Sequence, residues 1–223
     1  FADAGFAGCL RTSKSTSGGF IALVGRQTFV PITWLCKKQG AISHSSSEAE
    51  IIALDATLRL DGIPCLTLWS KVSDVFNGSS KADTSYVKPK AKTATDIASM
   101  IDFVPTNIPA PNHHARILIM EDNDAVIKMC VKGRSPNMRH VARTHRVDLD
   151  WLFERIREDP GIQMQYVNTK QQIADIFTKG TFTADQWNVL CNLAQLGPRM
   201  TKASALNASL RPKCCKSNRS PPC

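Results

Sequence analysis

The stretch Arg116-Ile117-Leu118-Ile119-Met120-Glu121-Asp122-Asn123-Asp124 constrains the fold of this chain more than any other. A continuous run of large apolar residues without alternation suits a strand covered on both faces, which means a parallel strand flanked by helices. The run ends in acid, and in open α/β sheets the carboxyl ends of the strands form the functional crevice. Asp122 is thereby placed at such a crevice, and the apolar spacing of 125–131 predicts a helix leading away from it.

The flanking segments complete an α/β pattern. Residues 1–6, 18–24 and 29–35 are short β-prone stretches separated by glycine, serine and charged clusters, as expected of three antiparallel strands. Ser45-Ser46-Ser47-Glu48 and Ser47-Glu48-Ala49-Glu50 both offer the S-x-x-E capping pattern ahead of Ile51, Leu54 and Leu58. A helix starts there, with Glu50 at the head of its apolar face. Residues 147–157 carry Leu149, Leu152, Phe153 and Ile156 at helical spacing, 162–166 alternate like a half-buried strand, and another helix begins near Gln171. Thr183-Ala184-Asp185-Gln186 caps a last helix running to about Leu196, where Gly197-Pro198 stops it. The order predicts a five-stranded mixed sheet, three antiparallel strands then parallel strands, flanked by helices.

Composition divides the chain into a domain over 1–180, a C-terminal helix packed on it over 181–197, and a basic disordered tail over 198–223. Within the domain, about 73–115 is rich in Lys, Thr, Ser, Asn and Pro and reads as a flexible insertion, with only 97–104 able to pack. The formal charge is +9, but the tail supplies six of those charges without an acidic residue. The body is mildly basic, which fits a nucleic-acid partner without demanding one. None of the eight cysteines forms a C-x-x-C pair, and Cys9, Cys36, Cys65, Cys130 and Cys191 sit in or beside apolar segments. They read as reduced core thiols, which argues against a zinc site or a disulfide framework and for a reducing compartment. No apolar run approaches the roughly 18 residues of a membrane span, so no membrane partner is expected. The first residue is Phe1, not methionine, which suggests a fragment with a shortened first strand.

Four carboxylates stand where chemistry is expected. Asp3 interrupts a small, apolar strand, where a lone charge is costly to bury without a cation. Glu50, Asp122 and Asp175, the last within Gln171-Gln172-Ile173-Ala174-Asp175-Ile176-Phe177, join it. Carboxylates that converge repel one another, and a hard divalent cation with oxygen ligands, Mg²⁺ first, is the usual remedy. Two such ions roughly 4 Å apart can activate a water and stabilise the leaving oxygen of a phosphodiester.

Several motifs carry a family resemblance. Phe1-Ala2-Asp3-Ala4-Gly5-Phe6-Ala7-Gly8, Ser15-Thr16-Ser17-Gly18-Gly19, Ile32-Thr33-Trp34, Lys37-Lys38-Gln39 and Ser46-Ser47-Glu48-Ala49-Glu50 lie in the first half. Asp122-Asn123, Arg143-Thr144, Val147-Asp148, Val167-Asn168-Thr169 and Ala174-Asp175-Ile176-Phe177-Thr178-Lys179 lie in the second. In order and spacing this set resembles the ribonuclease H region of copia-type retrotransposon polyproteins, over 1–197 apart from the insertion. The resemblance implies an RNase H-like fold, a tetrad of Asp3, Glu50, Asp122 and Asp175 holding two Mg²⁺ ions that Mn²⁺ can replace, and hydrolysis of the RNA strand of RNA/DNA hybrids. It also implies the reverse transcriptase region of the same polyprotein as partner and an intracellular setting, the cytoplasmic virus-like particle with the nucleus as a further station. Glu50 is taken over Glu48 because the A-E-apolar-apolar-A step matches the equivalent helix of other ribonucleases H. Gly5 stands where the family usually has a second aspartate, Ile51 where it has tyrosine, and His145-Arg146 where it reads Lys-His.

Around the tetrad, Lys37, Lys38, Arg143 and Arg146 are candidate phosphate contacts, against the reading of solvated surface. His140 and His145 are candidates for product release or phosphate binding, although a histidine in a basic loop is usually only solvated. His113-His114 reads as incidental, Glu48 as a capping-box partner, Asp124 and Asp148 as residues favouring helix N-termini, and Trp34 and Trp151 as core. Two rivals stand beside the nuclease: a catalytically silent hybrid-binding or scaffolding relic of the same domain, and an integrase- or transposase-like phosphoryl transferase. Asp175, a fourth carboxylate, argues against the latter.

Overall fold

Three strands pair in sequence order at the start of the chain: β1 (Ala2–Gly5), β2 (Thr16–Val24) and β3 (Phe29–Lys38), all antiparallel. The structure, a computed structural model, describes residues 1–25, 27–76 and 115–196. After β3 the Ser45 hydroxyl accepts the Glu48 backbone N–H and starts α1 (Ser46–Thr57). The helical path continues through a π turn at Leu58–Gly62 into α2 (Ile63–Phe76). The chain resumes with β4 (Ile117–Glu121), α3 (Asp124–Lys132), the short α4 (Val141–His145), α5 (Leu149–Glu158) and β5 (Ile162–Tyr166), and β4 and β5 run parallel. A 3-10 turn, the one-turn α6 (Asp175–Thr178) and α7 (Ala184–Leu193) follow.

The α/β class with antiparallel strands first and a parallel pair later is as the sequence led one to expect. The single five-stranded sheet is not: the strands form a three-stranded sheet, β1-β2-β3, and a separate two-stranded sheet, β4-β5. The reason lies at the seam. β1 is four residues long, and in place of a backbone ladder the amide of Gln172 reaches across, its Nε2 donating to Ala2 O at 2.8 Å and to Met120 O at 3.5 Å. A side-chain bridge satisfies backbone carbonyls without imposing strand register.

Apolar packing joins the layers. Ile51, Ile52, Leu54 and Leu58 of the first helical path meet Ile119 of β4, Val126 and Cys130 of α3, Leu152 and Phe153 of α5, and Ile162 of β5 in the main core. On the opposite side Phe20 and Phe29 pack with Ile173, Leu190, Leu193 and Ala194, which fixes α7 to the β-meander. α7 ends at Leu193, short of the expected Leu196.

Other expectations need correction. Residues 73–76 are helical, at the end of α2; 77–114, with His113-His114, and the tail 198–223 lie outside the described residues. Cys130 is buried as expected, but Cys36 is exposed and Cys9, Cys65 and Cys191 are half-buried. Trp34, expected in the core, is 66% exposed, on the edge strand β3 of its sheet. Trp151 is half-buried, with the Arg59 guanidinium 4.2 Å from its ring centre. Among the described residues, no helix is long and apolar enough to cross a membrane.

Candidate active site

The site is assembled by close backbone approach. Asp3 on β1 faces Gly18 on β2. A Cβ at Gly18 would land on the Thr178 methyl group, and one at Gly5 on the Thr178 carbonyl oxygen. Two missing side chains therefore let α6 lie directly on β1 and β2, and that contact places Asp175 and Thr178 against Asp3. At Gly5 no side chain fits unless α6 shifts. Glu50 arrives from α1, which packs through Ala49 and Ala53 on Ala4 of β1. Asp122 follows directly after β4.

Asp3, Glu50 and Asp175 are buried and Asp122 is half-buried. Burial raises the Asp3 carboxyl, the Thr178 hydrogen bond and the Lys179 charge oppose the shift, and Asp122 adds to it. Glu50 is pushed up to about 10, first by burial and then by the charges of Asp3, Glu121 and Asp122. Asp175 rises to about 7 for the same first cause, with Asp3 and Asp122 adding and the Lys179 hydrogen bond opposing. Each of these three carboxyls is raised in part by another tetrad charge, and Asp122 acts on all of them. The structure thus brings Asp122 within electrostatic reach of Asp3, Glu50 and Asp175, while burial is the first cause of the shift at each of the three.

Three residues that the sequence reading left without a role belong here. Glu121 is fully buried, its Oε1 accepts the Asn123 N–H at 3.2 Å, and its Oε2 has no partner. Burial, followed by Asp122 and Asp3, pushes it up to about 8. Glu121 ends a run whose last residues are buried on both faces, Ile119 on one and Met120 on the other, and the acid goes into the interior with them. Thr178 donates its hydroxyl to Asp3 Oδ2, and Lys179 Nζ lies 2.6 Å from Asp175 Oδ2. The four-residue step from Asp175 to Lys179 was the sequence signal for that pair. Burial alone would lower the Lys179 ammonium, but the hydrogen bond to Asp175 and the charges of Asp175, Asp3 and Asp122 leave its pKa raised.

The donor chemistry fits a hard divalent cation: all are carboxylate oxygens, and Glu50 Oε2 and Asp175 Oδ1 are buried without a hydrogen-bond partner. Yet among the described residues no three His, Cys, Asp or Glu side chains are grouped so as to hold a metal ion. Thr178 and Lys179 hold Asp3 and Asp175 instead.

The basic candidates Lys37, Lys38, Arg143 and Arg146 are all exposed. Asp148 caps α5, accepting the Trp151 N–H, and Asp124 opens α3 behind the Asn123 cap. Glu48 is more than a capping partner, since it lies between His140 and His145.

No family model, curated protein or solved structure matches this chain.

Proposed function

We propose that the chain is the ribonuclease H domain of a copia-type retrotransposon polyprotein, an endonuclease that hydrolyses the RNA strand of RNA/DNA hybrids beside the reverse transcriptase region of the same polyprotein. The observation that carries this reading is the electrostatic reach of Asp122, at the carboxyl end of β4, to Asp3, Glu50 and Asp175 on three other segments. Buried carboxyls of this kind destabilise the fold unless protons or cations neutralise them, and strongly shifted acids gathered near one another are a mark of functional sites.

Asp3, Glu50, Asp122 and Asp175 would hold two Mg²⁺ ions, with Mn²⁺ able to substitute. Bound cations would supply Lewis-acid polarisation of a phosphoryl oxygen and activation of a water. The chain's own residues do the rest. Thr178 orients Asp3, and Lys179 offsets the negative charge of Asp175. Exposed Lys37, Lys38, Arg143 and Arg146 offer charge to the phosphate backbone. Selectivity for the hybrid follows from duplex shape and the 2′-hydroxyl, which only the RNA strand carries.

A silent hybrid-binding module is the second reading, and one observation favours it: the Lys179 ammonium already occupies Asp175. Cleavage of a labelled RNA/DNA hybrid with Mg²⁺, with EDTA, and by Asp122→Asn separates the two. Metal-dependent product lost in Asp122→Asn supports the nuclease. Hybrid binding without product from a folded chain supports the silent module.

A further inference from the structure

We propose that Glu48 is the positioning residue of the nucleic-acid interface, a buried carboxylate that clamps both ends of α4 and thereby fixes Arg139, Arg143 and Arg146 relative to the acid cluster. The inference rests on the hybrid-binding part of the reading above and adds the residue that organises substrate contact.

Glu48 is 1% exposed. Its Oε2 accepts the His44 backbone N–H at 3.0 Å and lies 3.1 Å from His140 Nε2. Its Oε1 lies 3.2 Å from His145 Nε2, within ion-pair reach but out of hydrogen-bond alignment. The His44 ring packs edge-on against His140 at 5.1 Å. His140 is the residue before α4 and His145 its last, so one carboxylate holds both ends of the helix.

A five-residue helix does not hold itself together, because a single turn does not recover its nucleation cost. The inner side of this segment is anchored by the buried Met138, Val141 and Val147 together with the Glu48 node. Its outer side shows Arg139, Arg143 and Arg146, all exposed. Among the described residues none of these guanidiniums has an ion-pair partner. Arg146 adopts φ 57°, ψ 37°, a left-handed conformation that favours glycine and that persists in other residues only where surrounding contacts dictate it. Guanidinium groups match phosphate oxygens in charge and geometry.

Glu48 and Glu50 sit two residues apart on α1, so the node that holds α4 and one carboxylate of the acid site are carried by the same helix. A buried acid is a poor way to add net stability, whereas fixing geometry is a use that such a group serves.

The test is a double-mutant cycle on hybrid binding, read by anisotropy of a labelled RNA/DNA hybrid in EDTA across a salt series, with Mg²⁺-dependent cleavage kinetics alongside. Glu48→Gln should weaken binding about tenfold, and Arg143→Ala with Arg146→Ala should weaken it comparably and lower the salt slope by roughly two. In the Glu48→Gln background the arginine substitutions should cost no more than about twofold further. In cleavage the Glu48→Gln loss should fall on KM and not on kcat. Additive losses, unchanged binding by Glu48→Gln, or a loss confined to kcat would overturn the proposal. If Glu48→Gln does not fold, His140→Ala replaces it in the same cycle. A wild-type chain that binds the hybrid without cutting it would end the nuclease reading and leave the clamp standing, whereas one that binds no hybrid would end both.

Discussion

Lys179 Nζ sits 2.6 Å from Asp175 Oδ2, so an ammonium of the protein itself pairs with one of the buried acids. The ammonium and an added divalent ion compete for one carboxylate. Lys179→Met should therefore lower stability in EDTA at pH 8, by about 1 kcal/mol once solvent screening of this partly exposed pair is allowed for. The same change should enlarge the rise in melting temperature that Mg²⁺ produces. Thermal melts of both proteins over an Mg²⁺ series measure this, and an equal rise would show that Lys179 does not compete.

The buried acids set the pH dependence of the fold. Glu121 and Glu50 are raised to about 8 and about 10 from an ordinary 4.5. A carboxyl raised by folding keeps its proton in the native state, so its contribution is fully present below pH 4.5 and is lost as pH rises towards the folded value. Without metal, stability should fall between pH 5 and pH 9 by several kcal/mol, since each tenfold change in an acidity constant on folding is worth roughly 1.4 kcal/mol. Urea midpoints in EDTA should show this decline, and Glu121→Gln should flatten it. Stability that climbs through this range would contradict the burial of these groups.

Removing one repelling charge should stabilise the remainder. Asp122 acts on Asp3, Glu50, Glu121 and Asp175. Asp122→Asn is expected to be at least as stable as wild type in EDTA, to gain less from Mg²⁺, and to lose cleavage. Activity equal to wild type would remove Asp122 from the site.

Gln172 is fully buried, and its amide spans Ala2 O and Met120 O. Gln172→Leu leaves those carbonyls without that donor and should cost about 1–3 kcal/mol. Because the bridged strands lead to Asp3 and Asp122, Mg²⁺ should also bind the variant more weakly. Calorimetric titration with Mg²⁺ beside a urea melt separates the two effects, and a loss of stability with unchanged metal affinity would limit Gln172 to a structural role.

Cys9 is expected to be the reactive thiol of the described residues. Hydrogen bonds from Lys38 and then Thr12 bring it down to about 6, with Lys38 Nζ 3.0 Å from its sulfur. At pH 7 it should react with iodoacetamide faster than Cys65 or Cys130, with a rate midpoint near pH 6, and Lys38→Met should move that midpoint upward. Peptide mapping after brief alkylation reports it.

Local pattern told most about the elements and least about their joins. The strands of the meander, the Ser45 cap, β4 and β5 follow from runs and alternation that any window of the sequence displays. α2 was not legible, because Pro64 and the π turn before it interrupt the helical period that 46–76 otherwise keep. The split sheet was not legible either, since the join between β1 and β4 involves Gln172, which lies 52 residues along the chain from Met120.

The sequence by itself determined which residues could do chemistry: Asp3 in an apolar strand, Glu50 beyond its cap, Asp122 after its run and Asp175 before its helix, because a charge set in an apolar context is a local fact. Only the tertiary structure decided which of them meet and what else meets them. Gly5 and Gly18 admit α6 by lacking side chains, Glu121 is buried by the packing on both faces of β4, and Lys179 and Thr178 reach the acids because that helix lands there. Contacts between distant segments depend on the volume and direction of side chains after packing, and neither is written in a single stretch of chain.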